Sequence, residues 1–256
     1  MSDQHDDGPK AMGSTSGPKG PGPGTRPAPV GNEIDGWWRL GWLMVAPLTR
    51  LVFRLRILGA ERIPATGAGI VAANHVSMLD GPVVCLAPYG RGRIVRFLSA
   101  AEFFRPRIVG WCLRKTRQIP IRRRQRDEHA LDEAIRTVHA GVLAGIFPEG
   151  HVNRDPEGDL QRIRTGIARI ALAAGAPVLP VGIWGTQARW PRGRLRLSRP
   201  VRPPLTLAVG EPIPPWGDPV DKDALEAFTA RVRTGLESAV ATARSDAESR
   251  SPRRPP

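Results

Sequence analysis

A histidine five residues ahead of an aspartate, at a point where an apolar run breaks into polar residues, can form a proton-accepting pair. His75 and Asp80 hold those places in Val71-Ala72-Ala73-Asn74-His75-Val76-Ser77-Met78-Leu79-Asp80. The run has strand character as far as Ala73, and Ser77 is available to cap a helix carrying Met78, Leu79, Val83, Val84 and Leu86. Residues five apart do not share a helix face, so pairing requires His75 to sit just outside the helix, its ring folded back over the first turn. Asp80 could then accept from one ring nitrogen while the other is left to take a proton. This is the base-and-orienter half of a catalytic triad, and it needs no nucleophilic Ser or Cys when the substrate brings its own hydroxyl. Satisfied surface pairs share the same spacing, so the rest of the chain has to decide.

A second stretch, Gly145-Ile146-Phe147-Pro148-Glu149-Gly150-His151, is an apolar strand ending in a rigid Pro, an acid and a permissive Gly. Sites collect at strand ends in α/β sheets. Glu149 could hydrogen-bond substrate hydroxyls or hold an arginine, and the Gly150 amide could lie near developing oxyanion charge. Standing alone, it reads as a plain turn. A third stretch, Arg114-Lys115-Thr116-Arg117 through Arg122-Arg123-Arg124-Gln125-Arg126, carries seven positive charges in thirteen residues. It is either a solvated face or a phosphate-binding surface, with Arg123 turned inward and the others facing anionic headgroups.

The chain that must position these groups has 256 residues, enough for one sizeable α/β domain, and 41% hydrophobic content, which is ordinary for a folded protein. Its net charge of +14 is not ordinary and implies a polyanionic partner: nucleic acid, an anionic membrane surface or phosphorylated substrates. With one tyrosine and few aromatics among the basic regions there is little to stack bases, so nucleic acid ranks behind lipid or phosphate. No Gly-rich phosphate loop and no zinc-ligand spacing occurs, and Cys85 and Cys112 read as buried thiols of a reducing compartment. The N-terminus lacks the pattern of a secretory signal, and a cytoplasmic location is expected.

Residues 1–31 hold 13 Gly or Pro and almost no large apolar side chain, so residues 1–32 are expected to be a disordered tail. Over 33–54 Trp37, Trp38, Leu40, Trp42, Leu43, Met44, Leu48, Leu51 and Phe53 crowd together, interrupted by Arg39, Pro47, Arg50 and Arg54. The apolar run is too short to span a bilayer. Two short interfacial helices meeting at Pro47, with tryptophans at headgroup depth, fit better than a hairpin packed on the protein's own core.

Beyond them strand-like and helix-like segments alternate, predicting an α/β domain over 55–244 with a single mixed sheet flanked by helices. Expected strands are 55–58, 69–73, 94–98, 117–121, 143–147 and 177–183, with edge strands at 194–197 and 205–209. Expected helices are 77–87, 103–114, 127–142, 165–175 and 222–244, the last packing Leu225, Phe228, Val232, Leu236 and Val240 into the core. Residues 245–256 are expected to be disordered.

Taken together, Asn74-His75-x4-Asp80, then Phe147-Pro148-Glu149-Gly150, then Val178-Leu179-Pro180-Val181-Gly182-Ile183 resemble the 1-acylglycerol-3-phosphate acyltransferases, from about Leu55 to Gly210. The resemblance implies that His75 and Asp80 are catalytic, and that Asn74, Glu149 and Gly150 are substrate-binding. It also implies an acyl donor, acyl-CoA or acyl carrier protein, with no metal or cofactor, and lysophosphatidic acid as the acceptor. Another lysolipid or lipid alcohol is the runner-up acceptor, and a noncatalytic membrane lipid-binding protein is the reading a retained His75 and Asp80 speak against. The partners implied are membrane lipids, with the protein peripheral on the cytoplasmic face of the cell membrane. The chain departs from the family after Pro-Glu-Gly, where Thr-Arg-Ser is usual and His151-Val152-Asn153 stands here, and at Ala100, where a Lys is usual. Arg123 and Arg154 are then the nearest cations on the matched blocks to hold an acceptor phosphate.

Overall fold

The computed structural model describes residues 34–122, 127–155, 157, 159–192, 195–196 and 201–251. The tail 1–32 and Arg123 lie outside the described residues.

Helix α1, Gly36–Val52, opens at Asp35, whose carboxylate accepts the N–H groups of Trp37 and Trp38 (both 3.0 Å). It is one helix, not the two expected, because Pro47 lies on its exposed side and the turns around it stay helical. There follow β1 (Arg54–Leu58), β2 (Gly69–Ala73), α2 (Asp80–Val84), α3 (Leu86–Tyr89), β3 (Val95–Ala100), α4 (Arg107–Lys115) and β4 (Ile119–Ile121). After them come α5 (Glu128–His139), β5 (Leu143–Ile146), α6 (Gly166–Ala174), β6 (Val178–Trp184), β7 (Pro204–Val209) and α7 (Lys222–Ser249).

Among the described residues these strands form one seven-stranded mixed sheet in the order β1-β7-β6-β2-β5-β3-β4. From β6 to β4 every pairing is parallel, β7 is antiparallel to β6, and β1 is parallel to β7. The period of two along each strand sorts side chains onto two faces. Ile70 and Ala72 join Ala134, Val138, Ile167, Ile170, Phe228 and Val232 under α5, α6 and α7. Val71 and Ala73 join Phe53, Val83, Val84, Phe97, Leu179 and Ile183 on the other face. Each fully buried aliphatic side chain here contributes about 1.5–3 kcal/mol relative to exposure.

The expected helix 77–87 begins only at Asp80 and divides at Cys85, because Asp80 binds the backbone N–H groups of Val76 and Ser77 and holds residues 76–79 in a turn. Pro106 delays α4, and Arg117, at φ 53°, closes it and delays β4. Of the two expected edge strands, 205–209 is instead interior and wholly buried. Its alternating polar residue is accommodated because α7 covers it: the Thr206 hydroxyl donates to Asp246 at 2.6 Å. The other, 194–197, shows no strand at its described residues, Leu195 and Arg196. Helix α7 therefore runs to Ser249, five residues into the expected disordered tail, with Ala243 and Ala247 buried and Asp246 pinned by Arg56 and Arg250. At Gly182 the α7 backbone crosses β6 so closely that a β-carbon would fall 2.2 Å from the Ala239 carbonyl oxygen.

Candidate active site

Strands β2 and β5 are parallel neighbours, with Ala72 in register with Ile146. The turns that follow them thus leave the same edge of the sheet side by side, carrying His75 and Glu149. His75 Nδ1 lies 3.0 Å from Asp80 Oδ2, in the first turn of α2, as the spacing predicts. The same Oδ2 accepts the Val76 and Ser77 N–H groups, both at 2.7 Å. Its other oxygen, Oδ1, accepts the Thr186 hydroxyl at 2.6 Å. A carboxylate so surrounded by donors accepts an Nδ1–H, which fixes the tautomer and leaves Nε2 as the basic ring atom. Ser77 does not cap a helix; its hydroxyl donates to the Trp190 carbonyl (2.7 Å) and accepts the Leu79 N–H. The imidazole stacks on Phe147, ring centroids 4.2 Å apart, and Phe147 stacks in turn on Phe97.

The geometry corrects the roles expected for three neighbouring residues. Asn74 is buried, and its amide donates to the Ile183 carbonyl (3.0 Å) and accepts the Ile183 N–H (2.7 Å), so it extends the β2–β6 ladder rather than facing a substrate. Glu149 is likewise buried and accepts the His75 N–H (2.8 Å) and the Gln161 N–H (3.2 Å). Burial pushes its carboxyl above the usual glutamate range, against the pull of those two N–H groups. Gly150, at φ 76°, donates its N–H to the Phe147 carbonyl (2.9 Å), which spends the amide within the turn instead of on an oxyanion.

Arg154 is exposed on the loop beyond this turn, and Val152, in the place where the resembled family carries Arg, is buried at 8% exposure. The cation that comes up against the turn is Arg164, which enters from just before α6. Its N–H donates to the Pro148 carbonyl (2.9 Å), and its Nε is 3.2 Å from where a Gly150 β-carbon would stand. Asn153 donates its N–H to the His75 carbonyl (2.6 Å) and accepts from Asp155 and Gln161, binding the β5 turn to the β2 turn a second time.

Thr186, Asn153, Gln161 and Arg164 escaped the sequence reading. Thr186 had a signal, since it stands two residues beyond the end of β6 at the sheet edge where sites form. Cys112 is exposed on α4, against the expectation that both thiols are buried, whereas Cys85 is half-buried with its thiol pushed up to about 12 by burial. Among the described residues no cluster of His, Cys, Asp and Glu could hold a metal ion.

Residues 54–184, just over half of the chain, match the family model described as Acyltransferase. A 1-acyl-sn-glycerol-3-phosphate acyltransferase of Chlamydomonas reinhardtii is 27% identical over 196 residues, which cover 73% of this chain and 57% of that one. An uncharacterised protein of Mycobacterium tuberculosis is 30% identical over 162 residues, 58% of this chain and 43% of its own. The chain thus spans less than half the length of that mycobacterial relative. Its fold superposes on the crystal structure of the 1-acyl-sn-glycerophosphate (LPA) acyltransferase PlsC from Thermotoga maritima with a TM-score of 0.61, at 28% identity over 78% of each chain. With the matched residues running from the first strand to the end of β6 and enclosing both turns of the site, the chain belongs to the acyltransferase family.

Proposed function

We propose that the protein transfers a fatty acyl group from the thioester of acyl-CoA or acyl carrier protein to the free hydroxyl of lysophosphatidic acid, giving phosphatidic acid. The observation that carries this reading is the 3.0 Å contact of His75 Nδ1 with Asp80, which presents Nε2 as the base. The acceptor hydroxyl gives its proton to Nε2 as its oxygen attacks the thioester carbonyl, and Asp80 steadies the imidazolium that forms. The tetrahedral intermediate collapses, the carbon–sulfur bond breaks, and the departing thiolate takes the proton back from Nε2. Each step balances with the two substrates and one imidazole. General base catalysis of this kind contributes about 10²–10⁴-fold.

Arg164, itself exposed but standing against Gly150, is the cation we take to hold the acceptor phosphate, ahead of the exposed Arg154 on the loop beyond. The buried Val152, where the family has Arg, favours a second acceptor class, a lysolipid or lipid alcohol without that phosphate. The experiment that separates them is the ratio of catalytic efficiencies for lysophosphatidic acid and monoacylglycerol in the parent, Arg164→Ala and Arg154→Ala. Losing one charge-assisted contact of about 1.5–3 kcal/mol should lower the ratio roughly ten- to a hundredfold in Arg164→Ala. A parent that prefers monoacylglycerol, or a ratio that Arg164→Ala leaves unmoved, sinks the phosphate reading.

The acceptor is embedded in lipid, so the enzyme must reach a bilayer, and we take α1 as its docking element on the cytoplasmic face. Among the described residues no helix is long and apolar enough to cross a membrane. The tryptophans are not the main contact that composition predicts: Trp38 packs on Ile94 and Val142, and Trp42 stacks on Tyr89. The opposite side of the helix exposes Leu40, Leu43, Met44, Leu48 and Leu51, a ridge with no polar residue among them. β1 starts at the sheet edge where β2 and β5 end, since it runs against them through β7. Helix α1 leads into β1, and the ridge therefore ends at the edge that carries His75.

A further inference from the structure

We propose that α4 is a second bilayer-contacting element, forming with the ridge of α1 one apolar surface for anionic phospholipid. The inference rests on the docking role given to α1 above. Helix α4 is a nine-residue helix of which one residue, Gly110, is buried. It is seated through its backbone: a β-carbon on Gly110 would lie 2.1 Å from the Phe104 carbonyl oxygen. That seating turns the side chains outward, leaving Ile108 at 79%, Val109 at 47% and Trp111 at 44% exposure. Large apolar side chains so exposed to water are unfavourable, and neighbouring exposed apolar groups mark contact surfaces.

The two helices meet. The Trp37 ring stands edge-on to Trp111 with centroids 4.8 Å apart, and Lys115 Nζ lies 5.0 Å from the Trp37 ring centroid. The apolar surface thus passes from Leu51 along α1 to Trp37 and on to Trp111 and Ile108. Its border is basic, with Arg39 and Arg50 on α1 and Arg107, Arg114 and Lys115 on α4. Neither helix contains an acidic residue. Aliphatic and tryptophan side chains bounded by Arg and Lys complement an anionic lipid surface, with the apolar groups entering the acyl boundary and the cations remaining at the phosphates. A protein partner of this size would need acceptors for those cations among apolar contacts; a headgroup layer supplies both in one plane.

Cys112 offers a reporter on α4 itself, because the other thiol, on Cys85, is half-buried and resists alkylation. The full chain, labelled at Cys112 with a polarity-sensitive fluorophore, is mixed with vesicles of phosphatidylcholine alone or with phosphatidylglycerol added. Emission should shift to the blue with the anionic vesicles and be quenched by lipids brominated on their acyl chains. Ile108→Ser with Trp111→Ser should weaken vesicle binding about tenfold or more, while turnover of a water-soluble short-chain acceptor stays at the parent level. A label that remains in water while the protein floats with vesicles overturns the role of α4 and leaves that of α1 standing. Loss of flotation in Leu43→Ser with Met44→Ser reports on α1 separately. A blue shift that grows with protein concentration in the absence of lipid would make the surface a contact between copies and also overturn the proposal.

Discussion

Asp80 and Glu149 are both carboxylates sealed from solvent, at 0% and 1% exposure, in turns that leave adjacent parallel strands. Both spend their oxygens on donors. The difference lies in what they hold. Asp80 binds its own turn and then the imidazole ring, so its charge lies directly against a ring nitrogen of His75. Glu149 binds two backbone N–H groups, one of them that of His75, and so fixes the main chain from which the ring hangs. Like groups in like burial are divided, one holding a side chain and the other the main chain, by the atom they touch.

That division makes distinct demands on variants. Asp80→Asn keeps size and loses charge, and should lower turnover by about 10²–10⁴-fold, with the acceptor KM little changed, because imidazole orientation and tautomer are lost. Glu149→Ala strands two buried N–H groups at about 1–3 kcal/mol each, which should lower the melting temperature by roughly 5–15 °C. If calorimetry instead finds Glu149→Ala as stable as the parent, the scaffolding role given to Glu149 is wrong. Thr186→Val removes the hydroxyl on Asp80 Oδ1 and should cut kcat about threefold to tenfold, with partial rescue in Thr186→Ser; equal loss in both variants would point to packing instead.

The smallest effect belongs to a third carboxylate. Burial would raise Asp246, but the Thr206 hydroxyl, Arg56 and Arg250 outweigh it and hold the carboxyl below the usual aspartate range. A depressed acid stabilises the fold above its unfolded value, and that contribution disappears as the pH falls through the folded one. Acidification below the ordinary aspartate range should therefore speed amide exchange in the last turns of α7, and Asp246→Asn should show this already at neutral pH.

What could be read from the sequence follows the reach of each contact along the chain. The His75–Asp80 pairing is five residues long and depends on one turn, so residue types and spacing suggest it, and the two other matched stretches distinguish it from a surface pair. Asn74 meets Ile183, and Thr186 meets Asp80, across more than a hundred residues, and only the assembled sheet brings them together. The sequence therefore cannot show that Asn74, next to His75, is already taken up by β6. The strand at 205–209 reads as an edge strand because it alternates and is set off by prolines, and nothing local reveals that α7 returns to cover it. Similarly Trp37, Trp38 and Trp42 are alike in composition, and only packing on Ile94, Val142 and Tyr89 separates the inward ones from the outward one. The mixed sheet itself and the core stripe of α7 were legible, because strand and helix periodicities persist over whole elements.

The most direct test is a double-mutant cycle on the pair, with thiol release from acyl-CoA in the presence of lysophosphatidic acid measured for the parent, His75→Ala, Asp80→Asn and the double variant, each shown to be folded by circular dichroism. If Asp80 acts through the imidazole, His75→Ala should fall about 10³-fold or more, and adding Asp80→Asn should cost almost nothing further. A folded His75→Ala enzyme within tenfold of the parent, or losses in the double variant that multiply, would contradict catalysis by a His75–Asp80 unit.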